Sequence, residues 1–371
     1  MPKRLYKNFL IFLLSGLTSL SAKDSETLED KNGSDLKSEI KAYILHHLED
    51  SYYFNLMSYT DNTSDKKVYV GIPLPVIIWD NGLRIFSSTK LNHGKSVAQS
   101  GNNFYKLYHS KIYKTDADGT INYDESHHPV NVKPLDFSIT KNVVSILFTA
   151  LIMLLLFKGL ADSYKKNGMI AKGVGRFFEP LVLYVRDEIA IPNIGQKHYK
   201  RFMSYLLTLF FFIWFLNLLG LTPLGINVTG NIAITFALAL ITFIITNFSG
   251  KKTYWKHIFW MPGVPIPMKI ILAPIELLGV VIKPFSLMIR LYANISAGHI
   301  VLMSLISLMF IFRNWLGSSL SFILAFSISI IEILVAVLQA YIFTVLSALY
   351  FGFAVEEHND HDDHSINVEF K

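Results

Sequence analysis

Glu276-Leu277-Leu278-Gly279-Val280-Val281-Ile282-Lys283-Pro284-Phe285-Ser286-Leu287-Met288-Ile289-Arg290-Leu291-Tyr292-Ala293-Asn294 lies inside an apolar tract that runs from Ile270 to Phe312. A guanidinium at the centre of a membrane helix costs roughly 2.5 to 3.5 kcal/mol, so it is expected to face a bundle interior, an aqueous cavity or a partner charge. Arginine also keeps its proton at physiological pH, which makes Arg290 a fixed positive charge and a poor proton carrier. Glu276, Lys283 and Arg290 stand seven residues apart, a spacing that drifts by only about 20° per step on an α-helix. Asn294 follows Arg290 at i+4 and joins that face. His299, nine residues beyond Arg290, projects to nearly the opposite side.

A second apolar tract, Trp315 to Phe353, carries Glu332 and Gln339, again seven apart. As straight helix, roughly 43 residues reach about 65 Å, against a hydrocarbon core of ~30 Å. Each tract is therefore either a hairpin or a steeply tilted helix, with Gly279, Pro284 and Gly298 as the places for a break or bend. The simplest packing sets the two polar stripes together around a hydrated path. Glu332 then supplies an opposite partner for His299. Arg290 is either a free charge on that path or half of a structural ion pair with Glu332 or Glu276.

Composition agrees with a membrane protein. Of the 371 residues 51% are hydrophobic and 17% charged, with a mean hydropathy of +0.38, whereas soluble domains carry about a quarter charged residues. The net charge of +6 is no nucleic-acid signature, because residues 23–136 are mildly acidic and the Lys and Arg excess gathers in membrane-proximal loops. The absence of cysteine excludes disulfides, thiolate metal sites and cysteine nucleophiles. There is no HExxH, nucleophile elbow or phosphate-binding loop, so neither an enzyme nor a cofactor or metal site is expected. The acidic tail with His358, His361 and His364 reads as a solvated terminus.

Lys3-Arg4 and Lys7, the apolar run Phe9 to Leu14, and Ser19-Leu20-Ser21-Ala22 make residues 1–22 a signal peptide, cleaved after Ala22. Residues 23–137 then form a small extracytoplasmic, periplasmic α+β segment. In it a helix is expected over Asp35 to Tyr59, capped by Ser34. A hairpin is expected over Pro75–Phe86, turning at Asn81-Gly82. A second is expected with Phe104–Tyr113 and Thr120–Tyr123 joined through Asp116–Gly119. Val143–Phe157, Phe202–Leu221 and Ile232–Phe248 are upright spans. The loop with Lys158, Lys165, Lys166, Lys172, Arg176, Arg186, Lys197, Lys200 and Arg201, and the one with Lys251, Lys252 and Lys256, are both cytoplasmic by the positive-inside rule. Phe177, Phe178, Leu181, Val182, Val185 and Ile189 recur at helical spacing, as in an amphipathic helix lying on the membrane surface or against a partner.

The run Glu276 to Asn294, continued by Ile295-Ser296-Ala297-Gly298-His299, resembles the signature of subunit a of F-type ATP synthases. Leu338-Gln339-Ala340-Tyr341-Ile342-Phe343 is similar to the motif of that family's last helix. Asp187-Glu188-Ile189-Ala190, Pro192-Asn193-Ile194-Gly195 and Asn217-Leu218-Leu219-Gly220-Leu221-Thr222-Pro223 add to the resemblance, which covers about residues 139–357. It implies an all-α membrane domain of upright helices, one amphipathic surface helix and two long tilted helices facing a ring of c subunits, which favours tilted helices over hairpins.

By the same resemblance the chain is a multi-pass inner-membrane stator subunit of the F0 sector, with membrane domain 138–356 and cytoplasmic tail 357–371. Its partners are the c-ring, the b subunits of the peripheral stalk, the F1 sector indirectly, and lipid. Arg290 is the essential stator arginine, with Asn294 and Gln339 beside it. His299 and Glu332 belong to the half-channel open to the outside and Glu276 to the one open to the cytoplasm. Many bacterial members carry Glu at the position of His299 and His at that of Glu332, so the pair is exchanged here. The rival, a stand-alone proton- or ion-coupled secondary transporter, calls for paired internal repeats, and no matching halves occur.

Overall fold

The computed structural model describes residues 44, 49–60, 67–166, 173–222, 226–261, 264–312 and 314–356. The signal peptide at 1–22, the tail at 357–371 and most of the helix expected from Asp35 lie outside the described residues.

Alternating β-branched and aromatic side chains shape the first part of the described chain. Strands β1 (Tyr53–Thr60) and β2 (Lys67–Pro73) pair antiparallel, as do β3 (Pro75–Trp79) and β4 (Leu83–Ser87). Strands β5 (Ala98–Ser100), β6 (Asn103–Tyr108) and β7 (Lys111–Thr115) form a second sheet in that order, and β8 (Leu135–Asp136) joins the free edge of β3. Val76, Ile78, Phe86, Leu91, Tyr105 and Ile112 are the buried core between them.

The Asn81-Gly82 turn is formed as expected, with φ of 50° and 132°. Two expectations are corrected. Residues 53–59 are strand, not helix: the helical spacing of apolar residues ends at Leu48, and β2 supplies the hydrogen bonds that decide the conformation. The second hairpin turns at His109-Ser110, where φ is 45° and 56°, so the expected first strand is really two, β6 and β7. Neither residue advertises a positive-φ turn as Asn-Gly does. Thr120–Tyr123 makes only an isolated bridge, Tyr123 to Pro129.

Helices follow: α1 (Lys141–Lys166), α2 (Val174–Tyr184), a π-helical turn (Val185–Ala190), α3 (Ile191–Ile194), α4 (Tyr199–Gly220), α5 (Ile232–Ser249), α6 (Lys252–Phe259), α7 (Ile266–Ile311) and α8 (Trp315–Val355). Among the described residues, α1, α4, α5, α7 and α8 are long and apolar enough to cross a membrane. The 46 residues of α7 and 41 of α8 run about 69 and 62 Å at 1.5 Å per residue. Each is one continuous helix, so the hairpin alternative falls. Pro274 and Pro284 lie within α7 without ending it.

The amphipathic segment is also corrected in part. Phe177 at its start is exposed, but Val185, Ile189 and Ala190 are fully buried in one core with Leu206, Phe211, Phe343 and Phe351. Its second half therefore packs on the chain's own α4 and α8. Gly352 permits this crossing, because a Cβ there would strike the carbonyl of Asn193.

The β-rich segment is joined to one end of the bundle. The backbone N–H groups of Lys141 and Asn142 at the start of α1 donate to the Ser51 carbonyl (2.8 Å) and Asp50 Oδ1 (3.1 Å), a carboxylate cap of the kind a helix N-terminus favours. Phe54 of β1 packs with Leu216, Ile226 and Val228, beside Ile146 and Ile234. At the far end, the Lys251 N–H donates to the Ala354 carbonyl (3.0 Å), so α8 finishes beside α6.

Within the β-rich segment Asp80 accepts from Lys114 Nζ (2.8 Å), Asn103 Nδ2 (2.8 Å) and Tyr105 Oη (2.9 Å). The Lys114 ammonium, foremost, holds the Asp80 carboxyl below its usual value of 3.8. A depressed carboxyl stabilises the fold fully above the unfolded value and loses that contribution as pH falls through the folded one. Asp80→Ala should therefore cost about 1–3 kcal/mol at neutral pH, with the difference from wild type shrinking below about pH 4. Protease resistance of the segment in membranes, followed against pH, measures it.

Candidate functional site

The two long helices lie antiparallel, and three contacts give their register: Lys283 with Tyr350, Asn294 with Gln339, and Gly298 with Glu332. Asn294 Nδ2 donates to Gln339 Oε1 at 2.8 Å. Gln339 is 2% exposed and its Nε2 has no partner among the described residues. Arg290, one turn from Asn294, is half-buried. Among the described residues it forms no ion pair with Glu332, Glu276 or any other acid. The structural-pair alternative is thereby set aside. Around it Leu278, Ile282, Ile289, Leu334 and Leu338 are exposed, so the polar pair of Asn294 and Gln339 sits at the edge of a broad uncovered apolar face.

Toward the β-rich end, His299 is buried with its Nε2 against Gly220 of α4, 3.2 Å from where a Cβ would stand. Glu332 Oε1 lies over Gly298, 2.5 Å from the same hypothetical atom. Only a glycine leaves the carboxylate this place. The two groups thus flank one stretch of α7 but are not ion-paired, which corrects the direct partnership expected of them. Glu332 Oε2 is buried without a partner among the described residues.

Sequence reasoning missed the polar groups around this pair. Asn217 Nδ2 donates to the Ala336 carbonyl (3.4 Å), and Thr229 Oγ1 donates to Asn217 Oδ1 (2.8 Å). Asn227 Oδ1 is buried with no partner among the described residues. Asn217, Asn227 and Thr229 are each 5% exposed or less. Asn217 stood within a recognised motif, but nothing in the 226–229 run signalled that it folds back on α4. An unpaired buried polar atom costs about 1–3 kcal/mol, so Asn227, Glu332 and Gln339 mark a place suited to water or to a polar group from a partner.

At the opposite end of the bundle a cavity of about 500 Å³ is lined by Tyr254, Lys256, His257, Glu276, Lys283 and Glu356. A narrower one of about 20 Å³ continues from it, sharing Tyr254 and Lys283 and adding Thr242, Thr246, Asn247 and Leu287. That is room for roughly one water. Leu287 is three residues from Arg290, about 4.5 Å along the helix axis. Burial and the charge of Glu276 push the Tyr254 hydroxyl up. Lys283 Nζ stands 5.7 Å from the ring centres of Tyr350 and Phe353, a cation–π placement rather than a simple reach for water.

The structure thus brings Glu276, Lys283, Arg290, Asn294 and Gln339 along one seam, with His299 and Glu332 at its β-rich end. Two polar clusters open toward opposite ends of the bundle, with a fixed cation between them. Such an arrangement can admit protons from either end without joining the two routes directly.

Known proteins share this arrangement of sequence. The family model described as ATP synthase A chain matches residues 143–352. A second, described as a domain of unknown function (DUF8433), matches residues 43–137. ATP synthase subunit a 2 of Chlorobaculum tepidum is 42% identical over 255 residues, 66% of this chain and 72% of that protein. ATP synthase subunit a of Chloroherpeton thalassium is 44% identical over 239 residues, covering 63% of this chain and 71% of the relative. The subunit from Myxococcus xanthus is 43% identical over 238 residues, 62% and 77% of the two chains.

The Asn294–Gln339 bond is the one direct polar link between the stripes of α7 and α8 in the printed geometry, and it sets a test of their registration. In a double-mutant cycle of Asn294→Ala and Gln339→Ala, thermal unfolding of the assembled protein should show a coupling of about 0.5–1.5 kcal/mol. Additive losses would mean that the two side chains do not hold each other.

Proposed function

The chain belongs to the ATP synthase subunit a family, a proton-translocating F0 subunit that is not itself catalytic, and on that premise we propose that Arg290 is its stator charge. The observation that carries this reading is a guanidinium with no ion-pair partner among the described residues, set between two separated polar clusters beside an uncovered apolar face. The c-ring covers that face. The b subunits of the peripheral stalk and, through them, the F1 sector complete the machine.

A rotor carboxylic acid passing through lipid is neutral, because desolvation disfavours its charged form. Within ~4–6 Å of Arg290 the preference reverses, since a neighbouring cation lowers a carboxyl pKa by about one to three units. The proton leaves through one polar cluster, and the next rotor carboxylate is loaded through the other. His299 and Glu332 supply an imidazole and a carboxylate for the half-channel on the periplasmic side. Glu276 and the cavity beside it supply the cytoplasmic one. Arg290 cannot lend its own proton and so blocks a leak between them. A membrane potential contributes about 2.3 kcal/mol per charge per 100 mV, which the offset paths convert into rotation.

The orientation follows from the basic loops, which flank α2 and α6 at the end opposite the β-rich segment. Residues 1–22 are then a signal peptide, 23–137 a periplasmic segment, 138–356 the membrane domain and 357–371 a cytoplasmic tail, with the whole in the inner membrane.

Arg290→Ala should abolish ATP-driven acidification of membrane vesicles while the complex still assembles, and normal pumping by this variant would sink the proposal. The exchanged pair gives a second test. Joining His299→Glu with Glu332→His should lose less pumping than either single change, whereas additive losses would show that the two positions do not cooperate.

A further inference from the structure

We propose that Phe54 of the β-rich segment is a positioning residue for the periplasmic half-channel, acting through the 226–229 loop and Asn217 on the part of α8 that carries Glu332 and Gln339. The proposal rests on the reading of His299 and Glu332 as members of that half-channel, and gives the extracytoplasmic segment a part in the transport step.

The loop is the link. Its side chains divide by alternation: Ile226 and Val228, 3% and 1% exposed, pack with Leu216 and with Phe54. Asn227 and Thr229 are buried as well, and Thr229 meets α4 through Asn217. The Thr229 hydroxyl donates to Asn217 Oδ1, which leaves the Asn217 amide nitrogen to donate to the Ala336 carbonyl. A flipped Asn217 would turn its oxygen toward that carbonyl, so the threonine selects the orientation that tethers α8. Ala336 lies one turn after Glu332 and three residues before Gln339. The tether therefore sits between the half-channel carboxylate and the glutamine beside Arg290.

Nothing in the helices themselves holds the loop down from above. Phe54 does so, as the side chain of β1 that closes the Leu216–Ile226–Val228 cluster. Its placement is fixed three residues earlier, where Asp50 and Ser51 accept the first N–H groups of α1. Burial pushes the Asp50 carboxyl up, against the hydrogen bonds from Thr140 and Asn142 that pull it down. The joint is thus enclosed rather than a loose tether.

The test uses the intact complex in proteoliposomes, with ATP-driven pumping read as a function of pH on the side of the β-rich segment. Phe54→Ala should lower pumping roughly three- to tenfold, as expected for small misplacements of reacting groups, and should shift the pH profile on that side. Phe54→Leu should restore most of the rate. Thr229→Val keeps the volume but removes the hydroxyl, and should reproduce the loss; combined with Phe54→Ala it should add little, since both act through one tether.

The proposal is overturned if Phe54→Ala pumps like wild type while His299→Ala is inactive, if its loss comes with an unchanged pH profile, or if Thr229→Val is normal. A complex that fails to assemble with Phe54→Ala while Thr229→Val behaves normally makes Phe54 a folding contact only. Normal pumping by His299→Ala would instead remove the underlying reading of the half-channel.

Discussion

An unpaired guanidinium in an apolar surface is the constraint on which the membrane domain turns. Left in lipid, Arg290 is costly, and within its own chain no carboxylate neutralises it among the described residues. The neighbouring Asn294 and Gln339 are polar but uncharged, so they can solvate a passing carboxyl without quenching the cation. Glu276 and Glu332 stand well to either side along the helices. Had either been within ion-pair reach, the arginine would have been satisfied and useless as a charge for a moving partner. The separation of acids from the arginine is thus as informative as the arginine.

The long antiparallel pair follows from the same need. Two helices of more than 40 residues present a continuous seam, so polar groups near opposite ends can both approach one central charge without meeting. Gly298 lets the Glu332 carboxylate lie directly on the α7 backbone, and Gly220 gives the His299 ring its place on α4. Small residues therefore set the width of the seam where the ionisable groups are, while larger apolar residues close it elsewhere. A carboxylate and an imidazole on neighbouring turns but without a direct ion pair are free to take or release protons in sequence, instead of locking each other in a salt bridge.

Much of this was legible in the sequence where one helix carries the pattern. The seven-residue spacing of Glu276, Lys283 and Arg290 reported their common face because helical periodicity is local. The choice between hairpin and single helix was not legible from periodicity alone, since Pro284 and Gly298 are compatible with either; neighbouring helices decide it. The motif resemblance favoured the single helices. The β6–β7 turn was missed because His109 and Ser110 adopt positive φ without a glycine or asparagine to announce it. Asn227 and Thr229 were missed for a different reason. Their importance comes from a loop folding back across 12 residues of chain to Asn217, which no local pattern records.

The β-rich segment and the bundle constrain each other at two points of different character. The cap from Asp50 and Ser51 fixes where α1 begins, and Phe54 fixes what lies over the ends of α4 and α5. Hydrogen bonds of the first kind are directional and define position; the apolar contact of the second kind is tolerant of direction but excludes water. Together they let a water-facing segment sit on a membrane bundle without opening a wet gap beside Asn217 and His299. Protons then approach the buried pair only by the polar route that Asn227 and Thr229 line, so the joint between the two parts of the chain is also the border of the path.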